Sequence, residues 1–429
     1  MAYQEVPTAV KNFMQTITEK CGTAHADWAK NFNACFANTL LTTIKRLPDE
    51  TTFVLTGDIP AMWLRDSTAQ VRPYLVVAKE DAEIAKMIAG LVERQMQFIC
   101  LDPYANAFNE TANGAGHQTD HTEMLPEIWE RKYEIDSLCY PVQLSYLLYK
   151  ATGDTSHFNA TFEQAVDKIL AVWETEQHHE NSPYRFVRDT DRKEDTLVED
   201  GVGSKVAWTG MTWSGFRPSD DACIYGYLVP SNMFAIVVLD YLREIFTTIL
   251  PSEQKTAQIK QLRDEIEKGI KTYGVTTSET GEKIYAYEVD GKGSAKIMDD
   301  SNVPNLLSAP YLGYCDADDP LYLATRKVIT SKENPYFYEG EYAKGIGSSH
   351  TPPEYIWPIA LAMEGMTTTS KAEKERILNT LVACDGGTNL MHEGFDVNNP
   401  NNYTREWFSW ANMMFCELVM DYFDIQIQK

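Results

Sequence analysis

Asp58, Trp63, Arg65 and Asp66 lie within nine residues of one another, just before a helical pattern begins. Two carboxylates and a guanidinium can satisfy the hydroxyl groups of a neutral polyol, and an indole can cover the apolar C–H face of a sugar ring. The same residues could instead form a buried Trp above a structural Arg–Asp pair. The sugar-binding interpretation gains weight because similar clusters recur further along the chain.

Five more polar and aromatic clusters lie next to predicted helix starts or in long connections. They cover residues 113–123, 208–221, 298–305, 345–352, and 391–394 with 403–410. Loops that carry chemistry on a rigid helical scaffold are a common arrangement in enzymes. We therefore expect these clusters to supply the functional side chains.

The cluster at 208–221 offers a candidate general acid. Trp213, Phe216 and Arg217 come just before the adjacent carboxylates Asp220 and Asp221. A carboxyl group held against aromatic side chains loses solvation and its pKa rises, so it can carry a proton at neutral pH. Alternatively, either aspartate could simply cap a turn.

Later clusters offer a general base and sugar ligands. Glu393 lies in a glycine-flanked loop and could activate water, while Arg405 and Trp407 could line a sugar subsite. The short polar side chain of Asn302 suits hydroxyl recognition, although an Asx-turn is equally consistent with its sequence context. A single histidine such as His350 is more often a hydrogen-bonded structural group than a ligand, but its small neighbours favour exposure to a cleft.

Other chemistries are disfavoured, and we expect neither a metal nor a cofactor. His117 and His121 have helical i, i+4 spacing, but glycines precede them and the glutamate of a zincin motif is absent. The chain lacks a G-x-S-x-G nucleophile motif and a glycine-rich phosphate loop.

Composition excludes some partners. The net charge of −24 argues against nucleic acid and anionic membranes, which are bound through Lys and Arg. No run of about 18 apolar residues could span a membrane, and residues 1–7 do not resemble a signal peptide. The eight cysteines are scattered without a C-x-x-C pair. We expect a cytoplasmic protein with free thiols, either a monomer or a weak oligomer.

Apolar spacings of three and four residues predict about a dozen helices. The predicted segments are 9–20, 25–46, 66–78, 82–100, 122–150, 158–173, 230–248, 253–272, 303–312, 318–330, 353–364, 370–385 and 407–424. Asp154 or Thr155 is expected to open the helix that contains 158–173, and Ser370 with Glu373 forms a capping box for the helix that contains 370–385. Strand-like alternation is limited to 184–187 and 283–287. Since no linker interrupts the pattern, we predict an all-α fold, an (α/α)6 barrel of helical hairpins, forming one domain over residues 1–429.

The motif at 57–67, GDIPAMWLRDS, resembles glycoside hydrolase family 125, and so do the FRPSDD run at 216–221 and the Glu393 loop. That family contains bacterial exo-acting α-1,6-mannosidases. The resemblance covers essentially the whole chain. It implies the (α/α)6 fold, a metal-independent inverting reaction and a mannose-containing oligosaccharide as substrate, with N-glycan degradation as the setting.

The resemblance also implies roles for residues. Asp220, rather than Asp221, falls on the family's general acid, and Glu393 falls on its general base. Motif position and side-chain chemistry together assign the following residues to substrate binding: Trp63, Arg65, Asp66, His117, Glu123, Trp213, Asn302, His350, Arg405 and Trp407. Inversion would place the two catalytic carboxyl groups about 6.5–9.5 Å apart.

Two alternatives stay open on the sequence. A glycan-binding module would need the same aromatic and polar groups, but no matched acid and base. Another toroidal carbohydrate-active enzyme, such as a glucoside hydrolase or phosphorylase, would share the scaffold.

Overall fold

The computed structural model describes residues 3–428. Met1 and Ala2, which begin the segment used to argue against a signal peptide, lie outside the described residues, as does Lys429. The helices are α1 Thr8–Cys21, α2 Ala26–Thr42, α3 Leu64–Val71, α4 Leu75–Ala78, α5 Ala82–Leu101, α6 Ile135–Thr152, α7 Ala160–Glu176, α8 Val229–Thr248, α9 Glu253–Tyr273, α10 Ala309–Leu312, α11 Pro320–Ile329, α12 Pro358–Met366, α13 Lys371–Ala383 and α14 Ser409–Tyr422.

The strands are short and occur in the connections between helices. They are β1 Ile44–Arg46, β2 Thr52–Val54, β3 Met62–Trp63, β4 Ala107–Phe108, β5 Ile128–Glu130, β6 Tyr227–Leu228, β7 Val275–Thr277, β8 Lys283–Tyr285, β9 Glu288–Val289, β10 Ala295–Lys296, β11 Phe337–Glu339, β12 Lys344–Ile346, β13 Tyr355–Ile356, β14 Gly394–Asp396 and β15 Asn399–Thr404.

The chain divides into two compact units, neither of them continuous in sequence. Unit 1 comprises Met1–Gln95, Leu144–His157 and Phe337–Lys429, and unit 2 comprises Met96–Gln143 and Phe158–Tyr336. The pairings β1–β2, β11–β12 and β13–β14–β15 lie in unit 1, and β4–β5, β6–β9–β10 and β7–β8 lie in unit 2. All the pairings within the units are antiparallel. The prediction of a single domain stays a prediction.

Helix α14 is the centre of unit 1. Its residues from Ser409 to Met420 are all buried, and the helix packs against α2, α3, α12 and α13. A helix that is apolar all round belongs in an interior, because it has no face to offer to water. Its one buried acid near the end, Glu417, is paired with Arg72 at 2.7 Å.

Helix α3 is buried along its whole length although it is largely polar. The Gln95 side chain donates to the Leu64 carbonyl oxygen at 3.3 Å and to the hydroxyls of Ser67 and Thr68 at 2.9 and 2.8 Å. Buried polar groups are tolerated when they find such partners. The helix can therefore carry Arg65 and Asp66 within the interior of unit 1.

Unit 2 contains the helical hairpin α8–α9. Helix α8 is buried from Val229 to Leu239, whereas α9 buries only one stripe, at Ile259, Leu262, Ile266 and Ile270. That spacing of three and four residues is the pattern from which the helix was predicted. Ser252 caps α9 by accepting a hydrogen bond from the Lys255 amide.

Some predicted boundaries are wrong. The helix predicted over 122–150 begins only at Ile135, because the preceding residues form a loop and β5. The segment predicted over 303–312 is helical only from Ala309. No strand forms at 184–187, where Val187 makes a single bridge to His121. The helix after Gly153 was expected to begin near Asp154, but Asn159 caps it by accepting from the Phe162 amide.

Other expectations hold. All eight cysteines, each within the described part of the chain, are free. Between residues 3 and 428, no helix is long and apolar enough to cross a membrane.

Ser370 caps α13 as predicted, with its hydroxyl accepting from the Glu373 amide at 3.2 Å. The Thr368 hydroxyl donates to the Glu373 carboxylate at 2.5 Å and accepts from the Ser370 amide at 3.2 Å.

Replacing Ser370 by alanine should lower the free energy of unfolding by about 1 kcal/mol, because an amide at the start of α13 loses its acceptor. Urea denaturation followed by circular dichroism measures the change. Thr16→Ala is the matched control, since Thr16 lies inside α1 and its hydroxyl bonds only within that helix. Alanine there should be nearly neutral. An equal loss in both variants would contradict the capping role.

Candidate active site

A β-hairpin in unit 1 holds Glu393 beside Arg405. Glu393 immediately precedes β14 and Arg405 immediately follows β15, and these strands pair with Gly394 opposite Thr404. The Glu393 amide donates to the Thr404 carbonyl oxygen at 3.2 Å, which continues the ladder by one step. The two residues are therefore adjacent in space although they are twelve positions apart in sequence.

Three charged side chains meet at this hairpin. The Arg405 guanidinium donates to the Asp58 carboxylate from Nε at 3.0 Å and from Nη2 at 2.5 Å, and its Nη1 lies 3.5 Å from Glu393 Oε1. Glu393 is 6% exposed. Burial alone would lower the pKa of Arg405, but Asp58, Glu393 and Asp66 outweigh it and raise the pKa. The guanidinium is thus a fixed positive charge between the carboxylates.

Gly57 allows the Asp58 loop to reach the segment after β15. Gly57 bridges Phe408, and the Asp58 amide donates to the Trp407 carbonyl oxygen at 3.2 Å. The φ angle of Gly57 is +146°, and a β-carbon there would overlap the Trp407 carbonyl group. Only glycine permits this approach. The glycine that opens the 57–67 motif is therefore what delivers Asp58 to Arg405.

Arg65 and Asp66 lie at the start of α3, also in unit 1. Arg65 Nε is 3.5 Å from Asp66 Oδ2, and both side chains are almost fully buried. The Arg65 guanidinium also lies over the Trp410 ring, 5.6 Å from its centroid. The structural Arg–Asp pair considered for this motif is therefore present, and Asp66 also contributes to the electrostatic field at Arg405.

Asp220 is held on a tight turn in unit 2. Its amide donates to the Arg217 carbonyl oxygen at 2.9 Å, and its φ angle is +64°, in the left-handed region that Asp tolerates better than most residues. The Lys132 ammonium donates to the Asp220 carbonyl oxygen at 2.7 Å. The Asn106 amide nitrogen donates to Asp220 Oδ1 at 3.2 Å. Both the backbone and the carboxylate are thus fixed.

Arg217 anchors the same turn. It is buried, and its Nε donates to Glu288 Oε1 at 2.6 Å. Glu288 also accepts from the amides of Ile224 and Tyr225, at 2.9 and 3.1 Å. Burial lowers the pKa of Arg217, but the charge and hydrogen bond of Glu288, together with Tyr287 and Cys223, outweigh burial and raise the pKa well above the usual value. Arg217 and Glu288 therefore tie the turn to strand β9.

Asp221 is oriented differently from Asp220. It is fully buried, and its Oδ1 accepts from Arg192 Nη2 at 2.9 Å. Its carbonyl oxygen accepts from the Arg217 amide at 2.8 Å, across the turn that carries Asp220. Of the two adjacent aspartates, Asp221 thus has the interior position and Asp220 the half-buried one.

Asn302 lies in an Asx-turn, the alternative considered for its cluster. Both its amide and its side-chain nitrogen donate to Asp300 Oδ1, at 3.1 and 3.0 Å. Asp299 and Asp300 are fully buried, and burial raises the pKa of both. Asp221 adds a like charge near Asp300, while Arg217 opposes it. Asn302 is therefore bonded to Asp300, whose carboxyl group lies near Asp221 and Arg217 of the Asp220 turn.

The other residues predicted to bind substrate in unit 2 are dispersed. His117 is exposed, with Nε2 3.8 Å from Glu130 Oε1. Glu123 is also exposed and lies 3.6 Å from Arg131, beside a cavity of about 470 Å³. Trp213 lies in the interior, stacked on His179 at 3.6 Å, and Gly226 packs against its ring. The structure gives Trp213 a packing role, and its place in a sugar subsite stays a prediction.

In unit 1, Trp63 directly precedes α3 and is 6% exposed. The ring of His350 lies edge-on to Trp357 at 6.4 Å. Trp407 is half-buried, and its backbone carbonyl oxygen receives the Asp58 amide. The neighbour of the candidate base, His392, is buried and stacked on Tyr403 at 3.7 Å, and burial lowers its pKa. His392 therefore packs the loop that presents Glu393.

Sequence reasoning missed the residues around Asp220. Glu130 Oε1 accepts from Arg188 Nη2 at 2.8 Å and lies 3.6 Å from Lys132 Nζ. Arg188 also makes a two-point contact with Asp120, at 2.8 and 2.7 Å. Asp120 was inside a cluster but received no role, and nothing in the sequence around Asn106 marks it. The pairing of the short strands β4 and β5 brings Asn106 close to Glu130, and sequence periodicity cannot detect strands this short.

A metal centre would need a group of ligands. No group of three His, Cys, Asp or Glu side chains that could hold a metal ion occurs among residues 3–428. The two histidines considered as a metal pair have other neighbours: His121 Nε2 lies 3.2 Å from Asp189, and His117 lies near Glu130.

Distant solved structures share the fold. A bacterial glucoamylase complexed with acarbose is 12% identical, with a TM-score of 0.59, covering 97% of this chain and 58% of that one. A Saccharomycopsis fibuligera glucoamylase is 10% identical, with a TM-score of 0.56, covering 100% of this chain and 99% of that one. The chain thus has the predicted (α/α)6 fold.

Carboxylate loops on this scaffold are typical of a glycoside hydrolase. A Streptococcus pneumoniae metal-independent α-mannosidase, solved in a non-productive complex with α-1,6-mannobiose, is 60% identical with a TM-score of 0.97. The match covers 99% of this chain and all of that one. Residues 25–420 match the metal-independent α-mannosidases of glycoside hydrolase family 125. The chain belongs to that family.

A eukaryotic relative also matches. The meiotically up-regulated gene 157 protein of Schizosaccharomyces pombe is 38% identical, covering 92% of this chain and 82% of the relative.

Gly57→Ala should destabilise the protein and reduce α-mannosidase activity, because the added methyl group pushes the Asp58 loop away from Trp407. The loss should exceed the cost of about 1 kcal/mol for alanine at a positive φ angle alone. Gly281→Ala is the control, since Gly281 has a φ of +86° but open space around it. Thermal unfolding and hydrolysis of an aryl mannoside measure both effects. Equal behaviour of the two variants would contradict the close-approach argument.

Proposed function

We propose that this enzyme is an inverting exo-α-1,6-mannosidase that removes terminal, non-reducing mannose from oligosaccharides. The observation that carries the proposal is the 60% identity to the Streptococcus pneumoniae enzyme solved with α-1,6-mannobiose. Membership of the family favours a hydrolase over the binding module and the phosphorylase left open by the sequence.

Asp220 is proposed as the general acid. It protonates the glycosidic oxygen as the bond to the anomeric carbon breaks, so that the leaving sugar departs as an alcohol. Its half-buried position supports this role, as does a carboxylate fixed through Asn106 on a turn held by Lys132. Asp221, buried against Arg192, is poorly placed to reach a substrate.

Glu393 is proposed as the general base. It removes a proton from the water that attacks the anomeric carbon on the face opposite the leaving group, which inverts the configuration. Support comes from its position at the end of a rigid hairpin and from the Arg405 guanidinium, 3.5 Å away. The distance between the two catalytic carboxyl groups stays a prediction.

The terminal sugar is proposed to be recognised by charged groups. Asp66 pairs with Arg65, and Asp58 holds Arg405, so these side chains present fixed hydrogen-bonding geometry. A site built to bond particular hydroxyls rejects sugars that leave those groups unpaired. Mannose, with its axial 2-hydroxyl, is therefore preferred over glucose. His350 and Asn302 are proposed to complete this recognition.

The setting is also proposed. The Streptococcus pneumoniae enzyme belongs to α-mannosidases that bear on the processing of N-linked glycans, which supports N-glycan degradation as the setting. A bacterial cytoplasm stays a prediction. The single-domain organisation and the monomeric or weakly oligomeric state stay predictions.

Asp220→Asn keeps the size of the side chain but cannot donate the catalytic proton. Hydrolysis of α-1,6-mannobiose should fall by about 10²–10⁴-fold, whereas an aryl mannoside with an acidic phenol should lose much less. Glu393→Gln should damage both substrates similarly, because both need an activated water. Steady-state kcat and KM for the two substrates measure the difference.

Asp221→Asn is the matched control for that comparison. Asp221 lies next to Asp220 but is held by Arg192, so the substitution should lower the stability of the protein. Any loss of activity should be the same for the disaccharide and for the aryl mannoside. If Asp221→Asn gave the leaving-group pattern and Asp220→Asn did not, the acid would be misassigned by one residue.

The stereochemistry and the cleavage pattern can be read from the products. Proton NMR during hydrolysis of α-1,6-mannobiose in EDTA should show β-mannose before mutarotation, at an undiminished rate. Digestion of a longer α-1,6-mannan should release only mannose at first. First-formed α-mannose would refute inversion, early internal oligosaccharides would refute exo action, and loss of activity in EDTA would refute a metal-free reaction.

A further inference from the structure

Asn106 joins two carboxylates in unit 2. It is fully buried, and its Nδ2 donates to Asp220 Oδ1 and to Glu130 Oε2, each at 3.2 Å. An amide nitrogen has two hydrogens, so each carboxylate can receive one. This uses the full donor capacity of the side chain.

The orientation of this amide is fixed by the backbone. Asn106 Oδ1 accepts a hydrogen bond from the Lys132 amide at 3.1 Å. A backbone N–H can only donate, so the oxygen must face it and the nitrogen must face the carboxylates. Strand β4 begins at the next residue and pairs with β5, placing Ala107 opposite Glu130. The asparagine is therefore a rigid donor aimed at Asp220.

We propose that Asn106 is a positioning residue for the general acid, donating to Oδ1 of Asp220 so that Oδ2 carries the proton delivered to the glycosidic oxygen. The proposal rests on the assignment of Asp220 as the acid under the proposed function. Once the proton has left, negative charge remains on Asp220, and the Asn106 N–H stabilises it. A carboxyl group that could rotate freely would place its proton correctly only part of the time.

A chain of buried charges keeps Asn106 in place. Arg188 contacts Glu130 at 2.8 Å and is itself held by Asp120, so Glu130 cannot turn away from Asn106. This series of contacts runs from Asp120 through Arg188 and Glu130 to Asn106, and it ends at the carboxylate of Asp220.

Other charged groups near the Asp220 turn also influence the pH dependence of activity, in the wild type and in every variant. Lys132 contacts the Asp220 carbonyl oxygen and lies 3.2 Å from Asp195. On neighbouring segments, Arg192 holds Asp221, and Arg217 is paired with Glu288. Substituting the neutral Asn106 by alanine leaves all these charges unchanged, which isolates the effect of its donor.

The test uses Asn106→Ala and Asn106→Asp in the full chain. Asp keeps the acceptor for the Lys132 amide but loses the donor and adds a negative charge. Both variants should lose about 10²-fold in kcat/KM on α-1,6-mannobiose, and less on an activated aryl mannoside. The alkaline limb of the kcat/KM profile should move up by about one pH unit in Asn106→Ala and further in Asn106→Asp.

Asn109→Ala is the matched structural control. Asn109 is also buried, three residues along the chain, but its Nδ2 donates only to the backbone carbonyl oxygens of Ala115 and Pro126. This variant should lower the unfolding temperature without moving the alkaline limb. If Asn106→Ala does not fold, Asn106→Asp decides the question, because it keeps the shape and the bond to Lys132.

Asp220→Asn separates the two proposals. Its alkaline limb on the aryl mannoside should disappear if Asp220 is the acid. If that limb is retained together with activity on mannobiose, the proposed function fails. If Asp220→Asn behaves as expected but the folded Asn106 variants keep the wild-type limb and leaving-group dependence, the positioning role is overturned while the proposed function stands.

Discussion

Charge taken out of water has to be matched by opposite charge, and this constraint determines how both candidate catalytic carboxylates are held. Removing one partner of a buried pair is costly, because the other charge is left without compensation. In unit 2, Lys132 is fully buried, which lowers its pKa, yet Glu130, Asp220 and Asp195 outweigh burial and raise it. In unit 1, Arg405 has the same relation to Asp58, Glu393 and Asp66. Each carboxylate thus lies beside a cation whose own neighbours fix its position.

Backbone geometry makes these charge clusters possible. Asp220 and Arg405 both adopt positive φ angles, at +64° and +47°, where side chains other than glycine are strained. Such residues persist when the surrounding structure determines them. Here the surroundings are specific: the Lys132 bond to the Asp220 carbonyl oxygen, and the Asp58 pair that holds Arg405. In both cases a charged partner holds the residue whose backbone is strained.

The sequence predicted the parts of the structure that depend on local pattern. Most helices came from apolar spacing, and the cap at Ser370 from residue type alone. The 57–67 motif pointed to Asp58 and Arg65, whose roles in substrate binding stay predictions. These successes share a cause, since the relevant partners are close in sequence or the residue type admits few roles.

The features that the sequence could not predict depend on contacts between residues that are far apart in the sequence. Asp58 meets Arg405 across 347 positions, and Asn106 meets Asp220 across 114. Strand β4 has two residues, too few for any alternation to be visible. Trp213 was expected near a sugar because aromatic residues cluster there, and that role stays a prediction, but nothing in the sequence indicated what would pack against its ring. The structure shows His179 stacked on it.

The discontinuous order of the units has a consequence for synthesis on the ribosome. Unit 2 ends at Tyr336, so all its segments have been made before the last stretch of unit 1, from Phe337 onward, exists. Helix α14, against which α2 and α3 pack, follows every other helix of the described residues. Helices α2 and α3 are therefore translated well before their core partner, and they wait for it while most of unit 2 is made. During that interval their apolar faces need another cover, such as a chaperone or transient contacts within the nascent chain.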